Sequence, residues 1–75
     1  MLLPNGSAIK NDVIDCFNEA IDNSENVNAD GSINWNFVES DLYLELHGIY
    51  SAEYLDACFD VMVAEYNWLM TGEVA

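Results

Sequence analysis

Residues 51–70 read SAEYLDACFDVMVAEYNWLM, which is the clearest helical pattern in the chain. Its apolar residues recur every three or four positions, the spacing that places them on one face of an α-helix. Ser51 precedes the run as a helix N-cap, and Gly72 follows it as a stop. The pattern therefore predicts a helix over residues 52–70. The predicted core stripe consists of Leu55, Cys58, Phe59, Met62, Tyr66 and Leu69.

A second helical pattern lies near the start of the chain. Ser7 follows the turn-forming residues 4–6 (Pro, Asn, Gly) and is a suitable N-cap. The apolar residues that follow repeat at helical spacing, which predicts a helix over residues 8–22. The predicted stripe consists of Ile9, Val13, Cys16, Phe17, Ala20 and Ile21.

The segment between these two helices is ambiguous. Asn36 and Glu39 have the spacing of a capping box, and Gly48 suits the position just after a helix. Val38 and Leu42, with Glu45 or Leu46, form a helical stripe over residues 37–46. However, leucines at 42, 44 and 46 alternate with polar residues, which is typical of a half-buried strand. The caps and the lack of a second strand to pair with favour a helix.

Residues 23–34 are rich in Asn, Ser, Asp and Gly, which predicts a loop. This stretch resembles the calcium-binding loop of the EF-hand family, because six of its residues match the family's pattern in order. The matching residues are Asn26, Asn28, Asp30, Gly31, Ser32 and Ile33. The pattern fails where the family has its bidentate glutamate, since Phe37 stands there. We therefore expect no metal site, and an Asx-rich turn that leads into the second helix.

Together the segments predict an all-α fold, a compact three-helix domain with a long loop between its first and second helices. With 75 residues the chain is long enough for a single domain (1–75), and residues 1–6 and 72–75 are expected to fray. Hydrophobic residues make up 52% of the sequence, which excludes a disordered acidic tail. No signal peptide or membrane-spanning run is apparent, so we expect a cytoplasmic protein.

The charge balance is the most informative feature for function. Fourteen acidic residues stand against Lys10 alone, which gives a formal net charge of −13. Direct binding to nucleic acid or to an anionic membrane is disfavoured, because both depend on Lys and Arg. Such a one-sided charge repels itself and lowers stability, which indicates selection for something other than stability. Solubility or a salt-rich habitat is the simpler alternative.

Two rows of carboxylates follow the outer faces of the predicted helices, and they are the candidate partner-binding residues. The first row consists of Asp12, Asp15, Glu19 and Asp22, and the second of Glu53, Asp56 and Asp60. Among the aromatic residues, Trp35 and Tyr66 are expected in the core, whereas Tyr43 and Trp68 are candidates for partner contact. Ala57, Val61, Ala64 and Trp68 widen the apolar face of the last helix, so a homodimer is possible.

Nothing in the sequence indicates catalysis or a cofactor. His47 is the only histidine and lies near a predicted helix end, where it is interpreted as a surface or capping residue. Cys16 and Cys58 fit no metal-ligand spacing, and both fall on apolar helix faces, where a thiol behaves as a small hydrophobe. A disulfide between them is the less favoured alternative. We therefore predict a binding protein and not an enzyme.

In size, in its lack of arginine and in its rows of helical carboxylates, the chain resembles the small acidic proteins with which phages block bacterial defences. These are the anti-CRISPR and anti-restriction DNA mimics. The resemblance implies a partner with a basic, nucleic-acid-binding surface, inhibition by occupying that surface, and action in the host cell cytoplasm. It rests on no motif and implies no particular residues. The alternatives are an interaction module that uses exposed aromatic residues, or a degenerate EF-hand-like calcium binder.

Overall fold

The last helix begins where the sequence predicts. The structure, a computed structural model, describes residues 2–71, in which α3 spans Ala52–Thr71. The Ser51 hydroxyl oxygen accepts a hydrogen bond from the Tyr54 backbone N–H at 3.1 Å, and the Ser51 carbonyl accepts one from Leu55 at 3.0 Å. Ser51 is therefore the N-cap. Gly72 lies outside the described residues.

The first helix, α1 (Asn11–Asp22), starts three residues later than predicted. Ser7 is not its N-cap, because the Ser7 carbonyl accepts from the Leu3 N–H at 2.8 Å in a turn that reverses the chain. Gly6 permits this turn with φ of +87°. Lys10 occupies the N-cap position without a side-chain hydrogen bond. Leu3 and Ile9 are buried on either side of this turn, while the other residues within 2–6 are exposed.

The second helix, α2, spans Trp35–Leu46; it ends at the predicted residue, with Gly48 just after the C-cap His47, but its predicted N-cap is wrong. Asn34, not Asn36, is the N-cap, since its side chain accepts from the Phe37 N–H at 3.4 Å. Gly48 does not adopt the left-handed conformation of a C′ glycine. Instead the N–H groups of Ile49 and Tyr50 donate to the Leu46 carbonyl at 2.9 and 3.0 Å.

The helix settles the alternative of a strand over residues 42–46. Leu42 is 1% exposed and Leu46 is buried, whereas Leu44 between them is 68% exposed. On a strand these three leucines would share one face, but on a helix the middle one turns away. Leu46, and not Glu45, therefore completes the buried stripe with Val38.

The three helices enclose one hydrophobic core, as the prediction of an all-α fold requires. An aromatic cluster joins all three, with the Trp35 ring 6.0 Å from that of Phe17 and 5.3 Å from that of Tyr66. Trp35 packs partly buried against the core, and the partly buried Tyr66 packs on Trp35. Cys58 is fully buried, Cys16 is partly buried, and both are free thiols. Within residues 2–71 no helix has both the length and the apolar character needed to span a membrane.

Candidate acidic interface

The carboxylate row of α1 lies on its outer face. Asp12, Asp15, Glu19 and Asp22 are all exposed, while Val13, Phe17 and Ala20 of the same helix are buried. Residues three and four positions apart stack on one side of a helix, so the apolar and acidic residues separate onto opposite sides. The predicted row is therefore a continuous strip of negative charge.

The carboxylates of α3 are arranged in the same way. Glu53, Asp56 and Asp60 are exposed, and the buried residues of the helix lie on its other side. Glu53 is in the first turn, where the positive end of the helix dipole favours a carboxylate. The three side chains form a second exposed row, shorter than that of α1.

Asp12 differs from the rest of its row because it has a fixed partner. The Tyr50 hydroxyl donates to its two carboxylate oxygens at 2.8 and 3.0 Å. The hydrogen bond to this carboxylate raises the pKa of Tyr50 to about 12. Beside it, the backbone N–H of Lys10 donates to the Tyr54 hydroxyl at 3.2 Å. Tyr50, in the connection between α2 and α3, and Tyr54, in the first turn of α3, therefore tie the start of α1 to the start of α3.

A groove of about 300 Å³ between α1 and α2 carries acidic residues that the sequence analysis did not single out. Glu19 of the predicted row faces Asp41 and Glu45 of α2 across it, with Cys16 and Leu44 among the other lining residues. Burial raises the pKa of the Cys16 thiol, and the nearby carboxylates of Glu45, Glu19 and Asp41 raise it further. Since the thiolate is the reactive form of cysteine, these surroundings disfavour reaction at Cys16.

A second groove, of about 340 Å³, separates α2 from α3 and unites two of the predicted residues. It is lined by Asp56 of the α3 row, by Tyr43, and by Glu39, Ser40 and Leu44. The Tyr43 ring stacks on the His47 ring at 5.4 Å with 13° between their planes. The Nδ1 atom of His47 lies 3.1 Å from the carbonyl oxygens of Tyr43 and Leu44. His47 thus caps the end of α2 and supports the exposed Tyr43.

Trp68 lies apart from both grooves. It is exposed near the end of α3, next to the exposed Leu69 and Met70. Two of the residues expected to widen the face of α3, Ala57 and Val61, pack partly against the core, while Ala64 and Trp68 remain exposed. Trp68 and Tyr43 are therefore both accessible, but the structure does not bring them into one groove.

The Asx-rich loop between α1 and α2 is held in place by side-chain hydrogen bonds of Asn26. Asn26, at the first ligand position of the EF-hand-like pattern, is only 4% exposed, and its Nδ2 donates to the Ala20 carbonyl and to Asp41 Oδ2, both at 2.8 Å. The loop closes through an antiparallel bridge between Val27 and Ile33, and Gly31 turns it with φ of +89°. Within residues 2–71 no three His, Cys, Asp or Glu side chains form a group that could hold a metal ion.

The residues missed by the sequence analysis all belong to α2 and its grooves. They are Phe37, Glu39, Asp41, Leu44 and Glu45. Placing residues 35–46 on a helical wheel separates Val38, Leu42 and Leu46 from Phe37 and Leu44, and this signal could have indicated apolar surface on a second side of the helix. The leucines at 42, 44 and 46 also alternate as on a strand, so this helical signal was ambiguous in the sequence.

Comparisons with protein-family models, with curated proteins and with solved structures gave no match to this chain.

Proposed function

We propose that this protein is an inhibitor that occupies the basic, nucleic-acid-binding surface of a target protein. The observation that carries the proposal is the exposure of its negative charge. Of the thirteen acidic residues within 2–71, all except Asp41 are exposed, and the chain has one lysine and no arginine. The carboxylates therefore remain available to cations of another molecule.

The geometry of the α1 row supports this proposal. At a rise of about 1.5 Å per residue, successive carboxylates of the row are roughly 4.5–6 Å apart along the axis. Proteins that bind DNA position Lys and Arg side chains against closely spaced phosphates, and binding releases the counterions of those phosphates. A rigid helix that presents carboxylates at this spacing can occupy such a surface and lose little entropy. The protein would act by competition, without catalysis or a cofactor.

The setting that suits this activity is a phage or mobile element that evades a bacterial defence, with action in the host cell cytoplasm. The target would be the nucleic-acid channel of a nuclease or surveillance complex, as with anti-CRISPR and anti-restriction DNA mimics. The resemblance in size and charge supports this assignment.

The test is capture of targets from a bacterial lysate on the immobilised protein, followed by elution with duplex DNA. We expect the retained proteins to be nucleic-acid-binding proteins that excess DNA and rising salt release. The triple variant Asp15→Asn, Glu19→Gln, Asp22→Asn should retain them more weakly, by a few kcal/mol. Asp12 is left intact because of its bond to Tyr50. A target that holds this protein and DNA together would contradict competition.

The alternative is an interaction module that uses exposed aromatic residues, and the exposure of Tyr43 and Trp68 favours it. Under the proposed function, Tyr43→Ala and Trp68→Ala weaken target binding less than the triple variant does. The opposite ranking, with a harmless triple variant, would establish the interaction module instead.

The second alternative is weak calcium binding by residues 26–37. We predict no specific site, because Phe37 replaces the glutamate that supplies two ligand oxygens and Asn26 is held by Ala20 and Asp41. Isothermal titration calorimetry with calcium checks this. A stoichiometric site tighter than about 100 µM would show that the loop rearranges to bind the ion.

A further inference from the structure

Helix α2 carries a second apolar stripe on the side that faces solvent. Phe37, Tyr43 and Leu44 are all exposed, and Leu44 is exposed by 68%. Phe37, Ser40 and Leu44 follow one another at steps of three and four residues, so they share one side of the helix. The buried stripe of the same helix lies on the other side. The outer face of α2 therefore presents apolar surface that the core does not use.

Carboxylates flank this stripe on both sides. Leu44 lines the groove toward α1, where Glu19, Asp41 and Glu45 lie, and also the groove toward α3, where Glu39 and Asp56 lie. The exposed leucine is thus a ridge between two acidic grooves. We name this surface, made of Phe37, Tyr43, Leu44 and the five carboxylates, the α2 ridge.

We infer that the α2 ridge docks a cationic amphipathic helix of a partner protein. Such a helix lays its apolar side chains on Phe37 and Leu44, while Lys or Arg on its two edges reach the carboxylates in the grooves. Amphipathic helices are commonly recognised in this way, with apolar anchors spaced at three, four and seven residues. Arg on the partner would pair with a carboxylate through two parallel hydrogen bonds.

The charge of the ridge excludes other occupants. A second copy of this chain would place five carboxylates against five, at a net charge of −13 per chain. Nucleic acid and anionic membranes are repelled for the same reason. A purely apolar partner would remove the carboxylates from water without a counter-charge, which is unfavourable. A helix that carries both apolar side chains and cations satisfies both parts of the surface.

This inference goes beyond the proposed function, because the α2 ridge requires no nucleic-acid-binding activity of its partner. It shares only Glu19 and Asp56 with the rows of α1 and α3, which act through charge alone, whereas its other residues lie on α2. The two can be separated by experiment, and the test below contains neither DNA nor a DNA-binding target.

The probe is a synthetic peptide of Leu and Lys, about 18 residues or roughly five helical turns long, with its leucines on one face. A control peptide has the same composition in an order that spreads the leucines around the helix. Fluorescence anisotropy should give a Kd at least about tenfold lower for the amphipathic peptide than for the control peptide. A tenfold difference in Kd corresponds to about 1.4 kcal/mol of binding free energy. Equal affinities, or no binding of the amphipathic peptide at about 1 mM, would overturn the inference.

Two exposed leucines provide a matched pair of variants. Leu44 is 68% exposed and Leu69 is 66% exposed, both on helices, but only Leu44 belongs to the α2 ridge. Leu44→Ser should weaken binding of the amphipathic peptide about tenfold, whereas Leu69→Ser should leave it unchanged. Circular dichroism verifies that both variants keep their helix content. Equal losses in the two variants would contradict docking on α2.

Substitutions of carboxylates provide a second matched comparison, between two double variants that have the same net charge. Glu39→Gln with Glu45→Gln removes two charges from the α2 ridge, and Asp15→Asn with Asp22→Asn removes two from the α1 row. The first pair should weaken peptide binding and reduce its salt dependence, and the second should have less effect. The reverse order would mean that the peptide binds the α1 row through charge alone, which overturns the inference.

Discussion

The outer faces of α1 and α2 are both exposed and acidic, but they are built differently. On α1 every apolar residue of the predicted stripe that falls within the helix is at least partly buried, so the outer face offers carboxylates without apolar surface. On α2 the buried stripe is matched by exposed Phe37 and Leu44 on the other side, with the exposed Tyr43 on the flank. The outer face of α1 attracts cations at long range, and salt screens this attraction. The outer face of α2 also offers apolar area that a partner can remove from water, which allows a defined docking geometry.

The largest expected effect tests which side of α2 belongs to the core. Leu42→Ala should lower the free energy of unfolding by about 3 kcal/mol, because it leaves a cavity where Leu42 is 1% exposed. Leu44→Ala, at the exposed position, should change it by less than about 0.5 kcal/mol. Urea denaturation measures both. Similar losses for the two variants would mean that the two faces of α2 are not distinguished as described.

The next effect concerns the clamp that holds the loop between α1 and α2. Asn26→Ala should cost about 2 kcal/mol of stability, since it leaves the Ala20 carbonyl and Asp41 without their buried donor. Asn28→Ala is the control, because Asn28 is exposed and its side chain bonds only to Ser32 within the loop. If chemical denaturation finds the two variants equally stable, the loop does not fix the groove between the helices.

A smaller effect measures the repulsion within the α1 row. Added sodium chloride should raise the Tm, because salt screens the repulsion among carboxylates over roughly 10 Å at 0.1 M. A gain of about 1 kcal/mol would correspond to roughly 4–8 °C in a chain of this size. The variant Asp15→Asn, Glu19→Gln, Asp22→Asn should melt higher at low salt and respond less to salt. A Tm of the wild type that is indifferent to salt would show that the charges are already compensated.

The smallest expected effect isolates Asp12 from its neighbours in the row. The pKa of Tyr50 is raised in the folded state from 10 to about 12, because its neutral hydroxyl donates to Asp12. This hydrogen bond therefore contributes stability that is fully present below pH 10 and is lost as the pH rises toward 12. Tyr50→Phe should be less stable than the wild type at neutral pH, and the difference should shrink above pH 10. A difference that is constant over this range would argue against the bond.

Sequence patterns predicted the structure correctly where the periodicity of a single helix determined it. In α3 the start of the helix, the Ser51 cap and the exposed carboxylates are as predicted, and most of the apolar stripe is buried, but Leu69 of that stripe is 66% exposed. In α1 the separation of apolar and acidic residues placed the row on the correct face, although the start of the helix was misplaced. Ser7 could have capped a helix, but the hydrogen bond from Leu3 engages its carbonyl in a turn instead.

The helical class, the outward direction of both acidic rows and the burial of Cys58 could all be predicted from residue order, because each depends on the periodicity of one helix. The way in which these helices combine depends on contacts between them, which no single helix pattern contains. Asn26 became a clamp because Ala20 and Asp41 converge on it, and the α2 ridge arose because packing buries one of two apolar stripes. A helix with apolar residues on two sides does not specify which side is buried. Packing against the neighbouring helices determines the buried side, since α1 and α3 cover Val38, Leu42 and Leu46 and leave Leu44 in solvent.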